Sequence, residues 1–107
     1  MKVKERFRLN TLCLTEKAAV RTALQIGIHL HRHEPFAKEL RRALRHLWLG
    51  TMSRKDLQVS INCLAACALH LARAKEIPMQ SRALEARVTA SAEMMNTLEK
   101  LKRIGNV

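Results

Sequence analysis

The first ten residues alternate between cationic and mostly apolar positions. The segment 2–10, KVKERFRLN, has a cation at each even position from 2 to 8, namely Lys2, Lys4, Arg6 and Arg8. Successive side chains of a β-strand point to opposite faces, whereas a helix would distribute these cations around its circumference. The pattern therefore predicts a short N-terminal strand with one cationic face and one mostly apolar face. A flexible basic arm is the alternative, because terminal residues are often disordered.

Helical spacing of apolar residues follows the strand. Between residues 14 and 31, LTEKAAVRTALQIGIHLH, apolar side chains recur at intervals of three and four residues, as on one face of an amphipathic helix. Thr15 is a typical N-cap residue, and Glu16 would follow in the first turn. We expect this helix A to end between Gly27 and His31, since glycine is frequent at helix C-termini.

A second amphipathic helix is predicted in EPFAKELRRALRHLWLG, residues 34–50. Pro35 suits the first position of this helix B, and Gly50 suits the position just after its end. The expected apolar face consists of Phe36, Leu40, Ala43, Leu44 and Leu47. The opposite face carries four cations, Lys38, Arg41, Arg42 and Arg45. Such a stripe is most often a solvated surface, although it also suits the phosphates of DNA.

Two further helices are predicted in the second half of the chain. Helix C begins with Ser53 and Asp56 at the spacing of a capping box, and its apolar positions are Leu57, Ile61, Leu64, Ala68 and Leu71. Residues 63–69 are apolar on all sides, so we expect other helices to enclose them. After Pro78, helix D extends over residues 79–103, with a seam of Leu84, Val88, Ser91, Met95 and Leu98.

These patterns and the composition together predict one globular domain over residues 1–107, mainly α-helical, with one short N-terminal β-strand and four helices. The chain is 48% hydrophobic and 27% charged, which suits a single core. Lys and Arg total 20 against 9 Asp and Glu, and the formal net charge of +11 favours nucleic acid as a partner. An anionic membrane surface or an acidic protein would satisfy the same balance.

The low aromatic content favours double-stranded over single-stranded nucleic acid. Single strands are usually bound by stacking of the bases on aromatic side chains. The chain has two Phe, one Trp and no Tyr. Double-stranded DNA is therefore the favoured partner.

The Cys and His residues give weak indications of chemistry. Three cysteines and no apolar leader predict a cytoplasmic protein without a disulfide scaffold. Cys63, Cys67 and His70 have a helical spacing that suits a metal, and so would His29 and His33 if helix A continued, but cysteines of an apolar helix are usually buried. We expect no metal or other cofactor and no membrane span. We also expect no enzymatic activity, since the sequence has neither a phosphate-binding glycine loop nor paired carboxylates in an apolar setting.

The order of strand, helix A and helix B, with cations on the strand, resembles the ribbon-helix-helix DNA-binding proteins over residues 3–49. In that family, two chains pair their N-terminal strands into an antiparallel ribbon that enters the major groove. The segment RFRLN fits this pattern, and the resemblance implies a DNA-contacting set of Lys4, Arg6, Arg8 and Asn10, with Phe7 and Leu9 facing the core. It also implies a homodimer, to which residues 53–104 would add a helical pair that completes the core or the oligomer interface.

Two alternative functions remain open. The segment LGTMSRKDLQVSI resembles the turn and second helix of a helix-turn-helix with one extra residue, which would make Ser53, Arg54, Lys55 and Gln58 the groove residues. A basic helical adaptor or inhibitor could instead bind an acidic protein through the stripe of helix B. The favoured expectation is a dimeric double-stranded DNA-binding protein, such as a small transcriptional regulator or an accessory protein assembled on plasmid or phage DNA.

Overall fold

Four helices and a small two-stranded sheet make up residues 5–73 and 81–106, the parts of the chain that the computed structural model describes. In chain order they are β1 (Arg6–Arg8), α1 (Leu14–Leu30), α2 (Ala37–Leu49), β2 (Thr51–Ser53), α3 (Arg54–Arg73) and α4 (Ser81–Gly105). The mainly helical fold with a short N-terminal strand and four helices is confirmed. The expectations for Lys2, Lys4 and Pro78 concern positions outside the described residues.

The N-terminal strand pairs with a strand of its own chain. β1 and β2 are antiparallel, with the partners Arg6 and Ser53, Phe7 and Met52, and Arg8 and Thr51. The ladder continues beyond β1, because the backbone N–H of Leu9 donates to the carbonyl of Gly50 at 2.9 Å. The ribbon-helix-helix resemblance implies pairing with a second chain instead, and β2 was not predicted. Its three residues are too few to show a period of two.

The alternation that predicted the strand is confirmed where the chain is described. Leu9 is fully buried and Phe7 is half-buried, whereas Arg6 and Arg8 are exposed. Met52, which lies opposite Phe7, is also fully buried. Because an isolated two-stranded ribbon is marginal in water, these inward side chains attach the sheet to the helices.

Helix α1 begins slightly earlier than expected. Its N-cap is Cys13 rather than Thr15, because Glu16 reaches back and accepts the backbone N–H of Cys13 at 2.8 Å. The helix ends at Leu30, within the expected interval. Gly27 is an interior, buried residue of α1, and a Cβ added there would lie 3.1 Å from Cys63 Sγ. Gly27 therefore allows α1 and α3 to approach closely.

Helix α2 begins later than predicted and ends as predicted. Its first residue is Ala37, because the backbone from His31 to Phe36 forms successive turns before the helix. Pro35 is therefore outside the helix. Gly50 follows the last residue with a φ of 82°, the left-handed conformation that favours glycine. On the predicted apolar face, Phe36 is exposed, while the buried members are Leu40, Ala43 and Leu47.

The predicted apolar positions are confirmed for most of α3 and for only part of α4. In α3 the predicted positions are buried at Leu57, Ile61, Leu64 and Ala68, but the expected enclosure of residues 63–69 is wrong, since Leu69 is 53% exposed. Neighbouring helices cover only the other faces of α3. In α4 the predicted seam is confirmed at Leu98 and wrong at Val88 and Met95, which are exposed. The side chain of Leu84 lies outside the described residues.

The core-facing side of α4 is rotated relative to the predicted seam. Its buried positions are Met94, Thr97, Leu98 and Leu101. α4 packs against both α1 and α3, so its inward face is determined by two neighbours rather than by one. The hydroxyl of Thr97 can be buried because it donates to the Glu93 carbonyl at 2.8 Å.

A buried carboxylate joins α2, β2 and α3. Asp56 is fully buried and accepts hydrogen bonds from Arg42 Nε at 3.1 Å, from His46 Nδ1 and from the backbone N–H of Ser53 at 3.2 Å. The Ser53 hydroxyl accepts the backbone N–H of Asp56 in return, so the predicted capping box is confirmed. Burial alone would raise the pKa of Asp56, but these hydrogen bonds outweigh it and hold the pKa below its usual value.

We expect Asp56→Ala to destabilise the protein by roughly 2 to 4 kcal/mol, because the backbone N–H of Ser53 and the side chains of Arg42 and His46 lose the carboxylate that accepts their hydrogen bonds, while the Ser53 cap of α3 remains. Urea unfolding followed by circular dichroism measures this loss. Glu99→Ala is the matched control, since Glu99 is an exposed partner of Lys102 at 4.0 Å and such pairs are worth little. Equal losses of unfolding free energy in the two variants would contradict a stabilising role for the buried Asp56 carboxylate.

Stability should also fall at acidic pH. The backbone hydrogen bond from Cys13, and then the side-chain hydrogen bond from Lys100, lower the pKa of Glu16 from 4.5 to about 2. Because this folded-state pKa is depressed, its contribution is complete above about pH 4.5 and is lost as the pH falls toward 2. We expect the free energy of unfolding to fall over this window, and Glu16→Gln to flatten the curve. A pH profile that the variant leaves unchanged would contradict this.

Candidate nucleic-acid interface

Most acidic side chains form ion pairs with basic side chains that lie outside β1 and the exposed face of α2. Among the side chains that the structure describes, the ion pairs are Glu5–Arg54, Glu16–Lys100, Glu34–His31, Glu39–Lys55, Asp56–Arg42, Asp56–His46 and Glu99–Lys102. The described Lys and Arg side chains with no described carboxylate within 4.0 Å are Arg6, Arg8, Lys17, Arg21, Arg32, Lys38, Arg41, Arg45 and Arg103. Most of them lie on β1, α1 and α2.

The outward side of the sheet carries two of these cations. We call it the ribbon face, and it consists of Arg6, Arg8, Thr51 and Ser53. Arg6 reaches across the ribbon, where its Nη2 donates to Thr51 Oγ1 at 3.1 Å. Asn10 is exposed but belongs to the turn after β1, which the bond from Leu12 N–H to the Leu9 carbonyl closes at 3.1 Å. The structure therefore places Arg6 and Arg8 on one face of the sheet and Asn10 in the turn that follows β1.

Two helices supply a second group of cations. We call it the helical cationic face, and it consists of Lys17, Arg21, Lys38, Arg41 and Arg45, which are exposed or half-buried. On α2 the three cations lie at i, i+3 and i+7 and share one side of the helix. Arg42 of the predicted stripe differs, because its guanidinium binds Asp56.

An exposed apolar cluster adjoins the helical cationic face. Trp48 is 71% exposed and Leu14 is 86% exposed. They border a shallow depression of about 120 Å³, whose other lining residues are Lys17, Ala18, Arg21 and Leu47. Trp48 was not among the predicted site residues, although it continues the stripe of Lys38, Arg41 and Arg45 at the next helical interval. That continuation is the signal that could have revealed it.

The residues of the helix-turn-helix alternative are engaged within the chain. Ser53 caps α3, and Gln58 donates to Asn62 at 3.0 Å. Arg54 donates to the Gly105 carbonyl at 3.0 Å, pairs with Glu5 and lies over the Phe7 ring at 5.1 Å. Lys55 pairs with Glu39 at 2.8 Å. Contact with a DNA groove would have to compete with these interactions.

The Cys and His spacings do not form ligand sets in the structure. His33 lies in the turns after α1, so His29 and His33 do not share a helical face. Cys63 and Cys67 are half-buried free thiols. Burial, and then the neighbouring Cys67, raises the pKa of the Cys63 thiol to about 11. The described part of the chain holds no group of three or more His, Cys, Asp or Glu side chains that could bind a metal ion.

Comparisons of the chain with protein-family models, with curated proteins and with solved structures found no match. Among the described residues, no helix is both long enough and apolar enough to cross a membrane.

Proposed function

We propose that this protein binds double-stranded DNA through the ribbon face and the helical cationic face. The observation that supports the proposal is the separation of charge: most described carboxylates pair with other basic side chains, while the cations of β1, α1 and the exposed side of α2 have no carboxylate within 4.0 Å among the described residues. Such a surface attracts the phosphates of a duplex, and each neutralised phosphate releases counterions.

The two faces would contribute differently to binding. Side chains that project from a two-stranded ribbon can reach base edges in the major groove. Arg6 and Arg8 are suited to the O6 and N7 atoms of guanine, and Asn10 to adenine. Lys38, Arg41 and Arg45 lie on a straight helix surface, where they would bind phosphates and hold the protein on the duplex.

The ribbon-helix-helix resemblance adds the proposal of a dimer. One edge of β1 is paired with β2, and no third strand of the described residues pairs with its other edge. Two copies that joined these edges would build a wider ribbon with Arg6 and Arg8 repeated on one side. An unpaired edge of this kind offers its backbone groups to another strand.

The internal contacts of Arg54 and Lys55 favour the ribbon over the helix-turn-helix alternative. A duplex-binding loss that occurs in Arg54→Ala and is absent in Arg8→Ala would reverse this preference. An acidic protein partner would be favoured if protein freed of nucleic acid bound no duplex at low salt.

We expect Arg8→Ala and Arg45→Ala to weaken duplex binding in different ways. Arg45→Ala removes a phosphate contact, so the slope of log K against log salt should become shallower by about 0.9 and all sequences should bind more weakly. Arg8→Ala should instead cost about 1 to 3 kcal/mol of discrimination among duplex sequences, since it faces base edges. Anisotropy of labelled specific and random duplexes over a salt series measures both effects.

Lys102→Ala is the control for this experiment, because Lys102 lies on α4 and has a carboxylate partner. It should bind like the unmodified protein. A loss equal to that of Arg45→Ala would show that net charge alone, rather than this surface, governs binding. A binding constant independent of salt would contradict a phosphate-dominated interface.

Light scattering tests the dimer separately. At micromolar concentration we expect a particle of twice the chain mass of 12.2 kDa. Because the Leu9 N–H points to β2 and successive N–H groups alternate along a strand, the Arg8 N–H points to the free edge of β1. Arg8→Pro removes that N–H and should shift the particle toward the monomer. A monomer in the unmodified protein, with and without duplex, would exclude the dimeric ribbon and leave binding by the single chain to be measured.

A further inference from the structure

The indole of Trp48 is exposed at a place where the fold does not require it. The buried side of α2 is formed by Leu40, Ala43 and Leu47, and Trp48 points away from it with 71% of its surface in water. A large exposed aromatic ring beside Leu14, which is even more exposed, marks a contact surface more often than an isolated exposed leucine does.

The surroundings of Trp48 define the chemistry of its partner. The depression beside the ring is lined by Leu14, Lys17, Ala18, Arg21 and Leu47 as well as Trp48 itself, and none of these is acidic. Arg45 lies one helical turn before Trp48 on the same side of α2. A complementary partner must combine negative charge with a flat apolar surface, and the phosphates and base faces of DNA provide that combination.

We propose that Trp48 stacks against a base step of duplex DNA, with Lys17, Arg21 and Arg45 holding the flanking phosphates. This inference rests on the proposed function and extends it with an aromatic contact outside the ribbon. Apolar side chains inserted at a base step partly unstack it, and the cost is repaid by the additional protein surface that the distorted duplex contacts. Leu14 forms the apolar wall on the other side of the depression.

Trp48 is also a reporter of its own contact, because the chain contains one Trp. Saturation with a short duplex should quench its emission, since stacking on bases brings the indole against aromatic rings. Heparin, which carries negative charge but no bases, should occupy the same cations and leave the emission largely unquenched. Equal quenching by heparin and duplex would overturn the stacking contact.

Variants separate the stacking contact from the charges around it. Trp48→Ala should lower duplex affinity roughly 5- to 150-fold, the range typical for alanine substitution of a base-stacking aromatic residue, and should leave the salt slope unchanged because no phosphate contact is lost. Trp48→Phe should retain most of the affinity. Leu69→Ala, at an exposed apolar residue on α3, is the matched control and should bind normally. Melting temperatures should be nearly equal for all these variants, since both positions are exposed.

The outcomes distinguish the two proposals. If labelled duplex binds with the expected salt dependence but Trp48 emission does not change, the stacking contact is wrong and the proposed function stands. If emission changes with protein concentration alone, Trp48 lies in a contact between copies and the inference is overturned. If no duplex binds while an acidic peptide shifts the emission, both proposals fail.

Discussion

The arrangement of this protein depends on one buried carboxylate. Asp56 binds the side chains of Arg42 and His46 on α2 and the backbone of Ser53 on β2, and it also belongs to the first turn of α3. These bonds determine how the chain turns from α2 into α3. This turn also positions β2, which is the pairing partner of β1. The ribbon face therefore depends on an interaction that lies beneath it, because a two-stranded sheet has little stability of its own.

The small number of carboxylates also determines the charge of the surface. The chain has 9 acidic and 20 basic side chains, and several of the acidic ones cap helices or join elements, as Glu16 does between the start of α1 and Lys100 of α4. The cations that remain are concentrated on β1, α1 and the outer side of α2. The distribution of charge, more than its total, supports a particular binding surface.

Local sequence patterns predicted the helices and the first strand well. They did not predict which elements pair with one another over long distances in the sequence. The alternation at Arg6 and Arg8, the positive φ of Gly50 and the cap of α3 all follow from chemistry within a few residues. β2 could not be predicted, because three residues acquire strand character only by pairing with β1. The contact of Arg42 with Asp56 joins positions 14 residues apart. The sequence of α4 contains two apolar stripes, and only packing against α1 and α3 determines which of them is buried. Only its exposure in the structure distinguishes Trp48 from an ordinary residue of α2.

The most direct test of the proposed interface is an amide chemical-shift map of the labelled protein with and without duplex DNA. Binding through the ribbon and helical cationic faces predicts the largest changes around Arg8, Arg45 and Trp48, with α4 near Lys102 unchanged. Changes centred on Arg54 and Lys55 would contradict this interface and favour insertion of α3 into the groove. A spectrum that duplex leaves unaltered at low salt would contradict DNA binding altogether.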